Sequence, residues 1–343
     1  MVELLNTLYV LTQGAVLRLE HDTVRVQVEG TTLARLPLLR LGAVVVFGRV
    51  TVTPFLIQRC AEDGRSLVWL DRNGRFKARI EGPIRGNVLL RRSQHLAAMD
   101  HERTWRIARQ IVAGKIQNSH QMLQRGAREA DDPDDARALR ELGGRIGSIL
   151  KRLATVEDLE AVRGCEGEAA RLHFAAFRRM LRVDATLFGP DGRSRRPPRD
   201  PANAILSFLY ALLRAECSSG LEAIGLDPQV GFLHSLRPGR PALALDLMEE
   251  LRPVLADRLA LTLLNRRQLR TEHFESLPGG AVQMTESGRR TLLAEYQRRK
   301  QDEVTHAVLQ RKIALGLIPH VQARLLARHL RGDLAHYPPF VYR

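Results

Sequence analysis

One change of rhythm constrains this chain more than any other feature: near Gly82-Pro83 the apolar residues stop alternating and begin to recur at helical spacing. Upstream, Val24-Arg-Val-Gln-Val28 alternates, Val44-Val-Val-Phe47 and Val50-Thr-Val52 are β-branched, and Leu67-Val-Trp-Leu70 runs into Asp71-Arg-Asn-Gly74. Branched side chains fit a pleated, half-buried surface, and Asn73-Gly74 supplies the positive φ of a tight hairpin turn. Downstream the spacing predicts helices over 94–113, 116–129, 133–153, 155–162, 166–182, 200–219, 243–264, 286–313 and 318–332. The expected class is α+β. A small N-terminal all-β domain spans 1–82, a linker 83–93, and a larger, mainly α-helical domain 94–343. A chain of 343 residues is long enough for two such cores.

Asp200-Pro201 provides an N-cap and a first-turn proline for the helix carrying Asn203, Ser207 and Tyr210. Spacings of four and three put those side chains on one face. Two segments read as loops: Pro190 to Arg199, rich in Pro and Arg, and Leu277 to Met284, around Pro278-Gly279-Gly280.

Lys and Arg number 53 against 38 Asp and Glu, a formal charge of +15, with Arg far outnumbering Lys. Such a field favours a polyanionic partner, and the planar guanidinium suits phosphate; a GC-rich genome also enriches Arg. Cys60, Cys165 and Cys217 are far apart with no Cys-x-x-Cys pair, which suggests neither a disulfide framework nor a zinc site. The start lacks a basic segment followed by an apolar one, and the apolar region Leu36 to Ile57 is interrupted by Arg40, Arg49, Pro37 and Pro54. The expectation is a soluble, cytoplasmic protein.

Four residues suggest chemistry: Glu166 in Gly-Cys-Glu-Gly-Glu, His234 in Gly-Phe-Leu-His-Ser, and Asp246 with Glu249 in Leu-Asp-Leu-Met-Glu-Glu. Each has an ordinary reading. Glu166 follows Gly164, where an acid complements a helix N-terminus. His234 lies in an apolar stretch that suits a structural imidazole. Asp246 and Glu249 share a helical face, where two acids repel unless a cation such as Arg252 lies between them; in that arrangement Glu250 points to solvent. As a set, carboxylates plus imidazole without thiolate suit Mg²⁺ or Mn²⁺, and a divalent ion in a basic protein suits work on phosphodiesters. Walker, Gly-x-Gly-x-x-Gly and Gly-x-Ser-x-Gly patterns do not occur.

At these residues the sequence resembles the CRISPR adaptation integrases, the family called Cas one (Cas1). The resemblance runs through Leu5-Asn-Thr-Leu-Tyr-Val10, Lys115-Ile-Gln-Asn118 with Gln121 and Arg125, and Arg163-Gly-Cys-Glu-Gly-Glu-Ala-Ala-Arg171. It continues through Arg195-Arg-Pro-Pro-Arg-Asp-Pro-Ala-Asn203, Gly231-Phe-Leu-His-Ser235 and Leu245-Asp-Leu-Met-Glu-Glu-Leu-Arg-Pro253. The order and spacing of these segments, over almost the whole chain, make the resemblance specific.

It implies a β domain joined to a helical domain, with Glu166, His234 and Glu249 at the family's metal-binding positions and Asp246 at a nearby acidic one. Tyr210 matches a tyrosine near the active site, which makes Glu166, His234, Asp246, Glu249 and Tyr210 the expected catalytic set. The implied activity is attack by the 3′-hydroxyl of a protospacer on a phosphodiester of a CRISPR repeat. The implied partners are DNA, a second copy meeting through the β domains, and a dimer of the small protein Cas two (Cas2) that bridges two such dimers into a heterohexamer. The opening segment and Tyr337-Pro-Pro-Phe340 resemble the I-C subtype, which adds the nuclease Cas four (Cas4). Candidates for the DNA track are Arg178, Arg179 and Arg182, then Arg193, Arg195, Arg196 and Arg199 with Asn203, and also Arg298, Arg299 and Lys300 unless that run is a solvated helix face. Two rival readings stay open: a metal-dependent endonuclease acting on branched or single-stranded DNA, and a noncatalytic nucleic-acid-binding scaffold.

Overall fold

The alternating runs upstream of Gly82 form two sheets. In the computed structural model, which describes residues 6–80, 82, 88–190, 192–194 and 197–342, the order is β1 (Asn6–Val10), β2 (Val16–Glu20), β3 (Thr23–Val28), β4 (Thr31–Pro37), β5 (Leu41–Phe47), β6 (Thr51–Val52), α1 (Pro54–Asp63), β7 (Ser66–Leu70) and β8 (Phe76–Ile80). One sheet has the order β4-β3-β2-β6 and the other β1-β5-β7-β8. The α+β class is borne out, but the N-terminal region is not all β. Its strands β1, β5 and β7 run parallel, and parallel neighbours need a crossover, which α1 supplies between β5 and β7. Pro54 starts that helix, Gly64 at φ 67° ends it, and Leu56 and Cys60 bury its inner face. A ten-residue helix bounded by β-branched runs leaves little periodicity to read.

Alternation along β5 and β7 explains how the two regions join. Val44, Val46 and Leu67 face the second sheet and α1, whereas Val45, Phe47, Val68 and Leu70 face the helices. Phe47 stacks on Phe208, ring centroids 5.6 Å apart. The sheet thus belongs to both cores. The Asn73-Gly74 hairpin joins β7 to β8 as expected, with Gly74 at φ 81°. A Cβ there would lie 2.7 Å from the Phe208 ring, so the turn needs glycine for its conformation and for its approach to that side chain.

The helical region contains α2 (Val88–Met99), α3 (His101–Glu129), α4 (Pro133–Leu153), α5 (Leu159–Arg179), α6 (Ala185–Phe188), α7 (Pro201–Ile224) and α8 (Ala242–Glu249), then a π-helical turn at Arg252–Asp257 and α9 (Arg258–Asn265). The hairpin β9 (Phe274–Leu277)/β10 (Ala281–Met284), α10 (Glu286–Gln301), the hairpin β11 (Glu303–His306)/β12 (Arg311–Ala314) and α11 (Ile318–Leu330) complete it. Helix α4 matches its expected span. Helix α2 enters the span expected as a linker, of which 83–87 lie outside the described residues. The breaks expected near Gly114 and Gly164 do not occur, because packing of α3 and α5 offsets the modest cost of each helical glycine. Helix α10 stops at Gln301 and the expected helical residues beyond it pair as β11 and β12. The segment around Pro278 is likewise a hairpin, with Gly279 and Gly280 at φ 88° and 76°.

Helix α7 starts as the sequence predicts: Asp200 Oδ1 accepts from the Asn203 amide at 2.7 Å, and Pro201 stands in the first turn. Among the described residues it is the one helix long and apolar enough to cross a membrane, yet 61% of that window is buried inside the fold. Its all-round apolar surface is that of a central core helix, packed on α8, α11 and the sheet.

Candidate active site

Four segments converge beside α7. Helix α3 contributes Lys115, α5 contributes Glu166, the segment after Gly231 contributes His234, and α8 contributes Asp246 and Glu249. Glu166 lies in the middle of α5, so the reading as a helix N-terminal acid does not hold. Asp246 and Glu249 are both buried.

Asp246 explains how the histidine is aimed. Its Oδ2 accepts from the amides of Phe232 and Leu233 at 2.6 and 3.0 Å, and its Oδ1 accepts from the His234 amide at 2.9 Å. The same Oδ1 lies 2.7 Å from His234 Nδ1. Gly231 permits this closeness, because a Cβ there would stand 2.7 Å from Asp246 Oδ2. Arg163 Nε, donating to the Leu233 carbonyl at 2.8 Å, ties the segment to α5. A carboxylate accepting Nδ1–H fixes the tautomer and leaves Nε2 with its lone pair. That Nε2 faces Glu249 Oε1 at 4.0 Å.

Glu249 and its neighbour Glu250 show how placement decides chemistry. Burial works against the Glu249 charge, but Arg252 and Lys115 outweigh it and hold the carboxyl down at about 2. Arg252 Nη1 is 2.8 Å from Oε1, which makes it the cation expected from sequence, and Lys115 Nζ is 2.6 Å from Oε2. Glu250 does not reach solvent. It is 0% exposed, and burial without a nearby cation pushes it up to about 8 despite donors from Phe340 N, Tyr337 Oη and Gln322 Nε2. It anchors the C-terminal segment, while Asn118 binds the Glu250 and Phe340 carbonyls and accepts from Tyr342 N.

Tyr210 reaches the acids only through Arg252, whose guanidinium lies 4.7 Å from the ring centroid. Its hydroxyl donates to Asp257 Oδ1 at 2.6 Å, and Asp257 Oδ2 lies 2.9 Å from His173 Nε2. Sequence reading missed Asp257, His173 and the role of Lys115. Only Lys115 carried a signal, as a charge inside the apolar run from Ile111 to Ile116 on a helix whose other buried residues are mostly apolar.

The residues expected on a DNA track divide. Arg178 and Arg199 are exposed; Arg179 pairs with Asp135 at 2.7 Å and Arg182 approaches Asp131 at 3.7 Å. Arg195 and Arg196 lie outside the described residues. Arg193 turns inward, binding Asn203 Oδ1 at 2.7 Å and Ser207 Oγ at 3.2 Å over the Tyr210 ring. Asn203 is 0% exposed and also donates to Gly192 O and Asp200 Oδ2, so as placed it positions Arg193 and does not meet a phosphate. Lys300 is not on the surface, because it is buried against Glu216 at 2.6 Å, and Arg299 pairs with Asp302. A cleft of about 820 Å³ is lined by Arg179, Arg182 and Arg298 among others, and by none of the four site residues.

The donor chemistry of Glu166, His234 and Glu249 fits a divalent ion: two carboxylates and an imidazole nitrogen with a free lone pair. Among the described residues, no three such donors stand close enough to hold an ion as placed. The sequence model of the family described as CRISPR associated protein Cas1 matches residues 8–298. The chain belongs to the Cas1 family. It is 56% identical over 340 residues to a CRISPR-associated endonuclease Cas1 of Moorella thermoacetica, covering 99% of each chain, and 50% identical to one of Rhodospirillum rubrum, covering 100% of each. A Cas4/Cas1 fusion of Geobacter sulfurreducens is 37% identical over 98% of this chain and 60% of its own length. Among solved structures, a Cas1 protein of Thermotoga maritima matches with TM-score 0.80 at 22% identity, covering 96% and 97% of the two chains. A casposase bound to integration product matches with TM-score 0.82 at 20% identity, covering 97% and 93%. A Cas6-RT-Cas1–Cas2 complex chain matches with TM-score 0.81 at 20% identity over 99% of this chain and 36% of its own. These likenesses establish the Cas1 fold.

Proposed function

We propose that this Cas1 family member is a metal-dependent DNA integrase of CRISPR adaptation. A protospacer 3′-hydroxyl attacks a repeat phosphodiester. The bond from phosphorus to the repeat's own 3′ oxygen breaks as the new ester forms, and the proton passes from the attacking hydroxyl to the departing oxygen. One phosphodiester replaces another, so ATP is not consumed. The observation that carries this reading is the convergence of Glu166, Glu249 and an oriented His234 Nε2.

Glu166, His234 and Glu249 would hold Mg²⁺ or Mn²⁺, which when bound polarises the phosphodiester and stabilises charge on the departing oxygen. Asp246 acts through His234, since its oxygens are already engaged by three amides and the imidazole. Arg252 keeps Glu249 ionised and rests on Tyr210, so Tyr210 and Asp257 position the wall of the site. DNA is held through phosphates by Arg178, Arg179, Arg182, Arg195, Arg196 and Arg199, with Arg193 and Asn203 as inner support; affinity falls with salt.

The finer assignments are part of the same reading. The β region 1–82, which exposes Leu33, Leu39 and Phe55, mediates a homodimer and faces Cas2 in a heterohexamer. The region 94–343 is catalytic and 83–93 joins the two. The subtype is I-C, and Cas4 is a further partner, in line with the Cas4/Cas1 fusion among the relatives. A second reading follows from the relatives' printed name, endonuclease: the same site cleaves DNA where water replaces the hydroxyl.

The test is strand transfer of a labelled protospacer into repeat DNA with Cas2 present. Joined product is expected from the wild type and a loss of about 10²-fold or more from Glu166→Ala. Equal product from both overturns the site; shortened strands without joining favour the endonuclease.

A further inference from the structure

Lys115 enters from α3 with a side chain 9% exposed, and its ammonium meets the carboxylates of both Glu166 and Glu249. It stands where the two acidic arms converge. Glu249 Oε2 is buried, and the ammonium at 2.6 Å is its partner. The two basic residues of the site differ in what binds them. Arg252 is fixed by Glu249 Oε1 and by the Tyr210 ring, whereas Lys115 has a flexible stem and a compact head that can withdraw. An ion taking up both Glu166 and Glu249 would need oxygens that Lys115 now faces, and two cations at one such point repel.

We propose that Lys115 is the resident counter-ion of the ligand set, exchanged for the divalent ion when the site loads. The proposal rests on the metal-dependent reading above. In the unloaded chain the ammonium keeps two converging acids from repelling each other and holds α3, α5 and α8 in register. On loading it gives up both carboxylates, so metal affinity is set by competition with a group of the protein itself. This accounts for donors of the right chemistry that do not yet stand at ligating spacing. It also makes Lys115 a positioning residue for the reaction.

Mn²⁺ titration of the purified full-length chain, read from the electron paramagnetic resonance signal of free Mn²⁺, tests this. Wild type should bind Mn²⁺ and Glu166→Gln should bind it much more weakly; equal binding by the two overturns the metal reading, whatever Lys115 does. Given that difference, Lys115→Met should bind about 5- to 150-fold more tightly than wild type, the usual span of coupling between two sites. Lys115→Arg, a cation with a stronger grip on carboxylates, should bind more weakly. A merely structural lysine predicts unchanged or weaker binding in Lys115→Met, and that result overturns the proposal. Should Lys115→Met fail to fold, Lys115→Arg decides, since affinity equal to or above wild type overturns it. The rise in Tm produced by Mn²⁺ should also be larger in Lys115→Met than in wild type.

Discussion

Two buried lysines, Lys115 and Lys300, meet carboxylates in contrasting surroundings. Lys300, 4% exposed in its side chain, faces one acid, Glu216, at 2.6 Å. The second Glu216 oxygen accepts from Tyr296 Oη at 3.0 Å, so the pair is matched in charge and satisfied in hydrogen bonds. Burial works against the Lys300 charge, and Glu216 more than restores it, raising its pKa. The pair ties α10 to α7, with Thr7 of β1 at the rim. Lys115 instead faces two acids, Glu166 and Glu249. A pair of one cation and one acid is balanced, whereas two acids that share one ammonium are not.

Four measurements would break or sharpen that contrast. The largest effect is expected from Glu249→Gln, which should lower strand joining on the order of 10³-fold with an unchanged far-UV spectrum. A large drop in urea midpoint with joining retained would move Glu249 to the structural side. Next, Lys300→Met should cost about 3 kcal/mol in urea unfolding, because it leaves Glu216 without its cation, while joining per folded molecule stays at the wild-type level. Adding Glu216→Gln should recover part of that loss. Asp246→Asn should weaken Mn²⁺ binding about 10- to 100-fold, the usual effect of removing a partner of a metal-binding histidine. Complete loss of binding would make Asp246 a ligand. The smallest change belongs to Arg199→Ala, expected to reduce the slope of log DNA affinity against log salt by about 1, and an unchanged slope removes Arg199 from the phosphate track.

Much of the fold was legible where local chemistry and final packing agree. Helix α4 has acids in its first turn, bases in its last and a strong apolar stripe, and Asp200-Pro201 starts α7 as expected. Legibility failed where packing overrode local preference. Gly164 and Gly167 sit inside α5 because its contacts with α3 and α4 hold it helical. Residues 303–314 carry too short a pattern to separate a hairpin from the end of a helix. Asn203 showed its helical face in sequence but not its burial, which depends on Arg193 folding back over α7.

By itself the sequence determined the change from strands to helices, the basic charge and the kinds of donor at Glu166, His234, Asp246 and Glu249, because these follow from local spacing and side-chain chemistry. It did not separate Glu249 from Glu250, two identical residues side by side. Only the tertiary structure turned one toward Lys115, Arg252 and His234 and buried the other beside Tyr337 and Gln322. The reason is physical: the charge a carboxylate keeps, and so what it can bind, depends on the cations and dipoles brought to it by distant parts of the chain.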